Sequence, residues 1–286
     1  MLKTSLSYKM SNVFFKFINY KKPFKNEKTF ARFLRKKNKK YHTVFPVIQR
    51  LSFDKKTIDD MDYYEINKKG TKTILFIPGG SYIDNPTEIH WLFAEKLVSL
   101  CDARIIIPIY PKLPLHNYLD CYRSLESLMT LMPEDLIFLA DSAGGGLALG
   151  LALKGYKYQK MVLISPWVDI RMDNEEMKEI EGHDPVLSIK GLKKLGELWS
   201  LGELSYLTSP LIGNIEELDN VFVFGGTNEI FLPDLRLFAA RLNKTSRYFE
   251  YLNMNHGFVL HPIKEAKAAQ NLVIDIINNK YSVYSL

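Results

Sequence analysis

The chain has 286 residues, of which 47% are hydrophobic and 24% charged, and this balance excludes a disordered, collagenous or coiled-coil protein. Its length is that of one large domain or two small ones, and α/β folds of this size are commonly single domains. The only two cysteines, Cys101 and Cys121, lie in apolar surroundings, which excludes a disulfide framework and favours a reducing, cytoplasmic compartment.

The first 45 residues are strongly basic. They carry thirteen Lys and Arg against a single acid, Glu27, whereas the rest of the chain has 25 basic and 31 acidic residues. No apolar run in this arm is long enough for a secretory signal or for the roughly 20 residues of a membrane span, so neither is expected. We predict two helices, starting near Ser11 and Asn26, whose aromatic side chains cover part of a larger body while the lysines face water.

Two other interpretations of the basic arm are compatible with its sequence. Apolar and aromatic side chains lie between its lysines at Phe14, Phe15, Phe17, Ile18 and Tyr20, a pattern that also suits an anionic lipid surface. Charge alone would suit nucleic acid. We predict no nucleic-acid partner, and peripheral membrane contact stays an alternative.

Short β-branched runs alternate with longer amphipathic stretches from about residue 73. The runs are 73–77, 104–109, 136–139, 161–164, 221–224 and 247–252, and the helical patterns between and after them are 87–100, 117–131, 142–154, 232–243 and 263–278. This alternation predicts a parallel sheet covered on both faces, hence an α/β fold. Two earlier segments, 44–51 and 61–67, alternate like an antiparallel pair at one edge of that sheet.

One interval interrupts the alternation. More than fifty residues separate the run that ends at Ile164 from the run that starts at Val221, and they include a helical pattern near 188–201. A simple crossover needs far fewer residues. The interval therefore predicts an insertion over one face of the sheet, which is the usual form of a lid.

The window from Leu136 to Leu149 carries the strongest catalytic signal. An apolar strand pattern leads directly into Ser142, which small residues bracket, and these continue into a helical pattern. A nucleophile elbow has this form, because a tight strand-to-helix turn holds the serine in a strained conformation and exposes its hydroxyl. The usual Gly-x-Ser-x-Gly reads Ala140-x-Ser142-x-Gly144 here. A phosphate-binding turn is the alternative, but the sequence around Ser142 does not carry the Lys or acid of such turns.

A serine hydroxyl needs a base to remove its proton, and the base needs a carboxylate to orient it. Among six histidines only His256 directly follows the last predicted strand. After the penultimate strand come two acids: Glu229 lies in the loop that follows the strand, whereas Asp234 follows Pro233 and has the position of a first-turn helix acid. We predict that His256 is the base and Glu229 its partner.

A glycine-containing loop follows the first predicted parallel strand. Its sequence is Pro78-Gly79-Gly80-Ser81-Tyr82, which allows backbone N–H groups to come close to a ligand. Pro-Gly-Gly alone is only a turn signal. Its place after a strand, about sixty residues before Ser142, suits a loop that binds an oxyanion.

Together these motifs resemble the hormone-sensitive-lipase-like branch of the α/β-hydrolases, a group of mostly microbial carboxylesterases. The resemblance runs from about residue 70 to the C-terminus. The family's Gly-Asp-Ser-Ala-Gly-Gly elbow corresponds to Ala140–Gly145, its His-Gly-Gly-Gly loop to Pro78–Ser81, and Ile164–Trp167 and Ser209–Leu211 look like landmarks that flank a cap. The order Ser142, Glu229, His256 is also the family's order.

The resemblance implies an α/β-hydrolase fold with an eight-stranded, mostly parallel sheet, helices on both faces and a helical cap. Residues 1–45 would belong to the cap, and residues 46–286 would form the hydrolase domain with a cap insertion at about 168–214. The backbone N–H groups of Gly80, Ser81 and Ala143 would donate to the oxyanion. This sequence departs from the family in having Pro78 in place of the loop histidine and Glu229 in place of the usual Asp.

We therefore expect a serine carboxylesterase that acts on a small ester, with no cofactor and no metal, since no Cys or His pair has ligand spacing. Two alternatives stay open: an amide or N-acyl hydrolase on the same triad, and a catalytically weak small-ligand-binding protein on a hydrolase scaffold. Trp199 and Tyr206, bulky residues of the expected cap, suggest a short pocket. A homodimer is compatible with this sequence.

Overall fold

The computed structural model describes residues 5–18, 21–39 and 51–281. Almost all of the strand predicted at 44–51 lies outside these residues. The partner of the following strand is instead residues 53–58, so the prediction of an antiparallel pair at the sheet edge is correct but its first member is wrong.

One eight-stranded sheet forms the centre of the molecule. Its strands are β1 (Phe53–Ile58), β2 (Met61–Ile66), β3 (Lys72–Ile77), β4 (Ala103–Pro108), β5 (Ile137–Asp141), β6 (Lys160–Ile164), β7 (Val221–Gly226) and β8 (Arg247–Tyr251). They lie in the order β1-β2-β4-β3-β5-β6-β7-β8. The two pairings that involve β2 are antiparallel and all others are parallel. The expected mostly parallel sheet is confirmed.

Helices cover both faces of the sheet. They are α1 (Leu6–Ile18), α2 (Glu27–Lys39), α3 (Glu88–Cys101), α4 (Tyr118–Met129), α5 (Ser142–Leu153), α6 (Met177–Ile180), α7 (Ile189–Ser200), α8 (Leu232–Ala240) and α9 (Ala266–Ile277). Buried side chains form one apolar cluster on each face, with α4 and α5 in one cluster and α3 and α9 in the other. The central strands are apolar on successive residues because both of their faces are covered.

The N-terminal helices carry side chains into this body. The second helix begins at Glu27, next to the predicted Asn26, whose Oδ1 accepts the backbone N–H of Thr29 at 3.0 Å. Phe30 is buried, and Phe24 and Phe33 pack against the same core cluster. The first helix begins at Leu6, five residues before the predicted Ser11.

The long interval between β6 and β7 holds α6, α7 and two short 3-10 helices. Its two ends meet: the Leu211 N–H donates to the Val168 carbonyl at 2.9 Å, and the Ser209 hydroxyl donates to Asp169 Oδ1 at 2.9 Å. The segment between Asp169 and Ser209 therefore leaves and rejoins the β6–β7 crossover at neighbouring positions.

Among the helices in the described ranges, none combines the length and the apolar character that a membrane span requires.

Candidate active site

The predicted nucleophile lies at the turn between β5 and α5. Ser142 has φ of +50° and is 4% exposed. This left-handed backbone is costly for a residue with a side chain, so the surroundings must hold it. The helix that follows packs closely against β3 and against the residues after β6. A Cβ on Gly144 would lie only 2.0 Å from the Ile77 carbonyl oxygen, and a Cβ on Gly145 only 2.6 Å from Pro166 Cβ. Glycine is therefore required on the helix side of the turn.

A continuous hydrogen-bond chain links the three side chains that the sequence singled out. Ser142 Oγ lies 3.0 Å from His256 Nε2, and His256 Nδ1 lies 2.8 Å from Glu229 Oε2. Each comes from the carboxyl end of a different strand, β5, β8 and β7 respectively. Asp234, the other acid that follows β7, lies in the first turn of α8, where Asn174 donates to it at 3.0 Å.

Ser165, directly after β6, links the loops of Glu229 and His256. Its hydroxyl donates to Glu229 Oε1 at 3.0 Å, and its Oγ accepts the Gly257 N–H at 3.0 Å. Glu229 Oε1 also accepts the Gly226 N–H at 2.7 Å. Glu229 is completely buried, and these two donors compensate for the burial of its charge. They leave Oε2 to face the imidazole.

The charge around His256 favours its protonated form. Burial alone lowers the pKa of His256, but the hydrogen bond and charge of Glu229 outweigh it, and the pKa is raised above its ordinary value of 6.5. Asp184 adds a further negative charge nearby. Burial raises the pKa of the Asp184 carboxyl, which accepts the N–H groups of Val186, Leu187 and Ile230 at 2.8–3.0 Å.

The loop after β3 lies beside Ser142. Gly80 has φ of +126° and Ser81 of +52°, and both line the same cavity as Ser142. The Gly79 N–H donates to Asp141 Oδ1 at 2.9 Å, and the Tyr110 hydroxyl donates to the Pro78 carbonyl at 2.9 Å. The loop is thus anchored on both sides although Pro78 replaces a histidine.

Ala143 is the second residue of α5, in the first turn, where backbone N–H groups have no partner within the helix. The three predicted oxyanion donors therefore come from two segments that both adjoin Ser142.

A cavity of about 520 Å³ opens over Ser142 and His256. Two thirds of its large apolar lining residues come from the N-terminal segment and the β6–β7 insertion: Phe24, Phe33, Val186, Leu187, Leu192 and Leu195. The others, Ile83, Ile89 and Leu260, come from the rest of the domain. Trp199 and Tyr206, the residues expected to shorten the pocket, are not among its lining residues. Trp199 is fully buried against Tyr82, with ring centroids 4.3 Å apart, and Tyr206 lines a separate depression of about 780 Å³ that contains none of the predicted site residues.

The comparisons with known proteins agree with this geometry. Residues 74–260, about two thirds of the chain, match the family model described as alpha/beta hydrolase fold. The chain belongs to the α/β-hydrolase family. This confirms the family that the elbow, the loop and the order of Ser142, Glu229 and His256 predicted.

Two curated relatives of this α/β-hydrolase are named esterases. An esterase from Acinetobacter venetianus is 28% identical over 193 residues, which is 60% of this chain and 61% of that protein. Esterase LipU from Mycobacterium tuberculosis is 26% identical over 190 residues, which is 60% of this chain and 64% of that protein. The matched region therefore spans a little under two thirds of these relatives.

Solved structures resemble this α/β-hydrolase over more of its length. A putative esterase from Staphylococcus aureus has a TM-score of 0.79 at 26% identity and covers 88% of this chain and 92% of its own. An esterase from the bacterial hormone-sensitive lipase family has a TM-score of 0.78 at 18% identity and covers 97% and 99%. The second likeness shows the shared fold.

Sequence reasoning missed several groups around the site. Ser165 was noted only as part of a landmark, and Asp184 lies in a Gly-His-Asp-Pro stretch that has the composition of a turn. Neither position carries a signal of its role, because the partners that connect them to the site, Glu229 and Ile230, are 64 and 46 residues away in the chain. Tyr8 was missed for the same reason: its hydroxyl contacts the Asn253 carbonyl and lies 2.7 Å from Asn255 Oδ1, next to His256.

Replacing the Tyr8 hydroxyl should loosen the attachment of α1 to the His256 loop. In Tyr8→Phe the buried Asn255 side chain loses a hydrogen-bond partner, so we expect the free energy of unfolding in urea to fall by about 1–3 kcal/mol. Tyr206→Phe, on a ring that is 38% exposed, is the matched control and should change stability far less. Equal stability of the Tyr8→Phe protein and the parent would show that the Tyr8 contact contributes nothing.

Proposed function

We propose that this α/β-hydrolase is a serine hydrolase that cleaves small carboxylic esters. The observation that carries the proposal is the hydrogen-bond chain from Ser142 through His256 to Glu229 at the floor of a largely apolar cavity. The names of the relatives, which are esterases and lipases, support the same chemistry.

In this proposal Ser142 Oγ attacks the ester carbonyl while His256 Nε2 takes its proton. Glu229 keeps the Nδ1–H of His256 pointing away from Ser142, which leaves Nε2 free to accept, and stabilises the imidazolium that forms. His256 then gives the proton to the leaving alcohol. A water molecule, activated by the same imidazole, releases the acid and restores Ser142.

The backbone N–H groups of Gly80, Ser81 and Ala143 are the proposed donors to the tetrahedral oxyanion. The negative charge would develop beside the N-terminus of α5, which favours it. The hydrogen bond from Gly79 to Asp141 supports the role, because it holds the preceding residue of the loop against the elbow.

We further propose that the N-terminal helices and the β6–β7 insertion act together as a cap over an apolar part of the substrate. Phe24 and Phe33 come from the first segment, and Val186, Leu187 and Leu192 come from the second. This corresponds to the division into an arm at 1–45 and a hydrolase domain at 46–286 with an insertion at about 168–214. The cavity volume suits a small ester.

Three finer expectations also stand as proposals. The buried free thiols of Cys101 and Cys121 are consistent with a cytoplasmic location. We also propose a homodimer, which a measurement of the oligomeric state in solution tests. The amide and ligand-binding alternatives give distinct results in the experiment below.

The first test is hydrolysis of p-nitrophenyl esters from acetyl to dodecanoyl, run together with labelling by a fluorophosphonate probe and mapping of the labelled peptide. We expect turnover to peak at the shorter acyl chains and the label to lie on Ser142. A labelled Ser142 without ester turnover would favour an amide substrate. An unlabelled, inactive protein that a small ligand stabilises against heat would favour the ligand-binding alternative.

The pH dependence of kcat/KM should report the pKa of His256 in the free enzyme. The proposed reaction needs neutral His256, and Glu229 raises the pKa of that residue. Activity should therefore fall as the pH decreases through a value above 6.5, the ordinary pKa of histidine. An acid limb centred at or below 6.5 would contradict this role of Glu229.

A further inference from the structure

The outward face of α1 carries an apolar stripe. Leu6, Met10 and Val13 are four and three residues apart, so they lie on one face of the helix, and they are 74%, 63% and 67% exposed. Tyr8 and Asn12 lie on the other side, where both contact Asn255. The helix is thus attached to the body by one side and exposes the stripe on the other.

This exposure is unusual for the molecule. In the part of the chain that the structure describes, the stripe supplies three of the four most exposed large hydrophobic side chains, within eight residues of one another. Single exposed apolar residues are normal on a protein surface, but a contiguous group indicates a contact surface.

Lys9 lies on the same face of α1 as the stripe, and the N-terminal segment that carries the stripe is strongly basic. Residues 1–45 have a net charge of +12 while the rest of the chain has −6. Exposed basic side chains occur on α1, on α2 and on the 3-10 helix between them: Lys9, Lys22, Lys25, Lys28, Arg32, Arg35 and Lys36. Glu27, the single acid of this segment, pairs with Lys194.

We propose that α1 and α2 dock this hydrolase on an anionic lipid surface, with Leu6, Met10 and Val13 inserted among the lipid headgroups. A helix with an apolar stripe on one side and basic side chains nearby fits such a surface, because lipid insertion and charge attraction act together. Each Lys or Arg brought close to anionic lipid strengthens binding about fivefold. A second copy of this chain is equally basic at this surface and would repel it. Nucleic acid offers negative charge but no apolar medium for the stripe.

Docking would bring the cavity close to the lipid. Phe33, Lys36 and Lys37 of α2 line the cavity that contains Ser142. Esters that partition into the membrane would thus be concentrated near the site. This consequence rests on the proposed function, but the docking itself does not, so the Ser142→Ala protein is suitable for every binding measurement.

The test is co-sedimentation of the full chain with vesicles of phosphatidylcholine alone and of equimolar phosphatidylcholine and phosphatidylglycerol. We expect binding to the anionic vesicles only, and weaker binding as salt is added. The triple change Leu6→Ser, Met10→Ser, Val13→Ser should lower the partition coefficient by about tenfold or more. Its matched control replaces three other exposed leucines, Leu100, Leu131 and Leu237, by serine and should bind like the parent.

The charge is tested in the same way. Lys25→Gln, Lys28→Gln, Arg32→Gln should weaken binding to anionic vesicles, whereas Lys69→Gln, Lys157→Gln, Lys244→Gln, which removes as much charge from exposed positions elsewhere, should not. Circular dichroism and the midpoint of thermal unfolding show that the variants are folded.

Three results would overturn the proposal. The first is equal binding to neutral and anionic vesicles, or none to either. The second is equal behaviour of the stripe variant and its leucine control. The third is a dimer that the stripe variant abolishes, or tight duplex DNA binding that the basic variant alone weakens, since either would assign the surface to another partner.

Discussion

Ser142→Ala is expected to lose at least about 10³-fold in kcat/KM for a short p-nitrophenyl ester. The change removes the proposed nucleophile and one end of the 3.0 Å contact to His256 Nε2, but it leaves the cavity and the backbone donors in place. The small remaining rate would come from binding and from the proposed oxyanion donors. Steady-state kinetics measure the loss of turnover, and fluorophosphonate labelling measures the loss of the reactive serine.

Ser81→Ala is the matched control for this variant. Ser81 lines the same cavity, and its proposed contribution is its backbone N–H, which alanine retains. We expect activity within a few-fold of the parent and normal labelling. A Ser142→Ala protein that hydrolyses esters as fast as the Ser81→Ala protein would remove Ser142 from the reaction.

Glu229→Gln is expected to reduce kcat by about 10³–10⁴-fold at neutral pH. Glu229 Oε1 accepts N–H and O–H donors from Gly226 and Ser165, so the glutamine carbonyl oxygen must occupy that position. Its NH₂ group then faces His256 Nδ1, and this forces the proton of the neutral imidazole onto Nε2. That tautomer donates toward Ser142 and has no lone pair there to accept the proton.

Asp234→Asn tests whether the other acid after β7 takes part in the reaction. Asp234 is the second acid after β7, and burial raises its pKa to about 6, which leaves it mostly ionised at neutral pH. Asparagine is nearly isosteric, and the kinetics of this variant should stay close to those of the parent. A large loss in Asp234→Asn together with a small loss in Glu229→Gln would exchange the assignments of the two acids.

Most of the sheet was predictable from the sequence because its central strands are covered on both faces. Continuous apolar runs such as 73–77 and 221–224 therefore mark β3 and β7 directly. The edge strand β1 was not predicted, because its side chains are exposed or half-buried and its sequence is not a continuous apolar run. Its hairpin with β2 turns at Asp59 and Asp60, whose φ values are +44° and +62°. Such turns usually contain Asn-Gly or Asp-Gly, so Asp-Asp gave no signal.

The candidate site was predictable to the extent that chain order indicates position. Ser142, Glu229 and His256 each follow a strand, and parallel strands end at one edge of the sheet, so order alone brought them together. The groups that support them were not predictable. Ser165, Asp184 and Tyr8 act through contacts with distant residues, and no spacing or composition encodes such contacts.

The closed base of the β6–β7 insertion separates the shape of the pocket from the register of the strands. Because Val168 and Leu211 are hydrogen bonded to each other, the two ends of the insertion lie side by side next to the sheet. A change in the length of the segment between them leaves these two ends together, so it does not by itself force a change in the register of β6 and β7. Pocket shape is thus free to diverge while the strands that carry Ser142, Glu229 and His256 keep their positions.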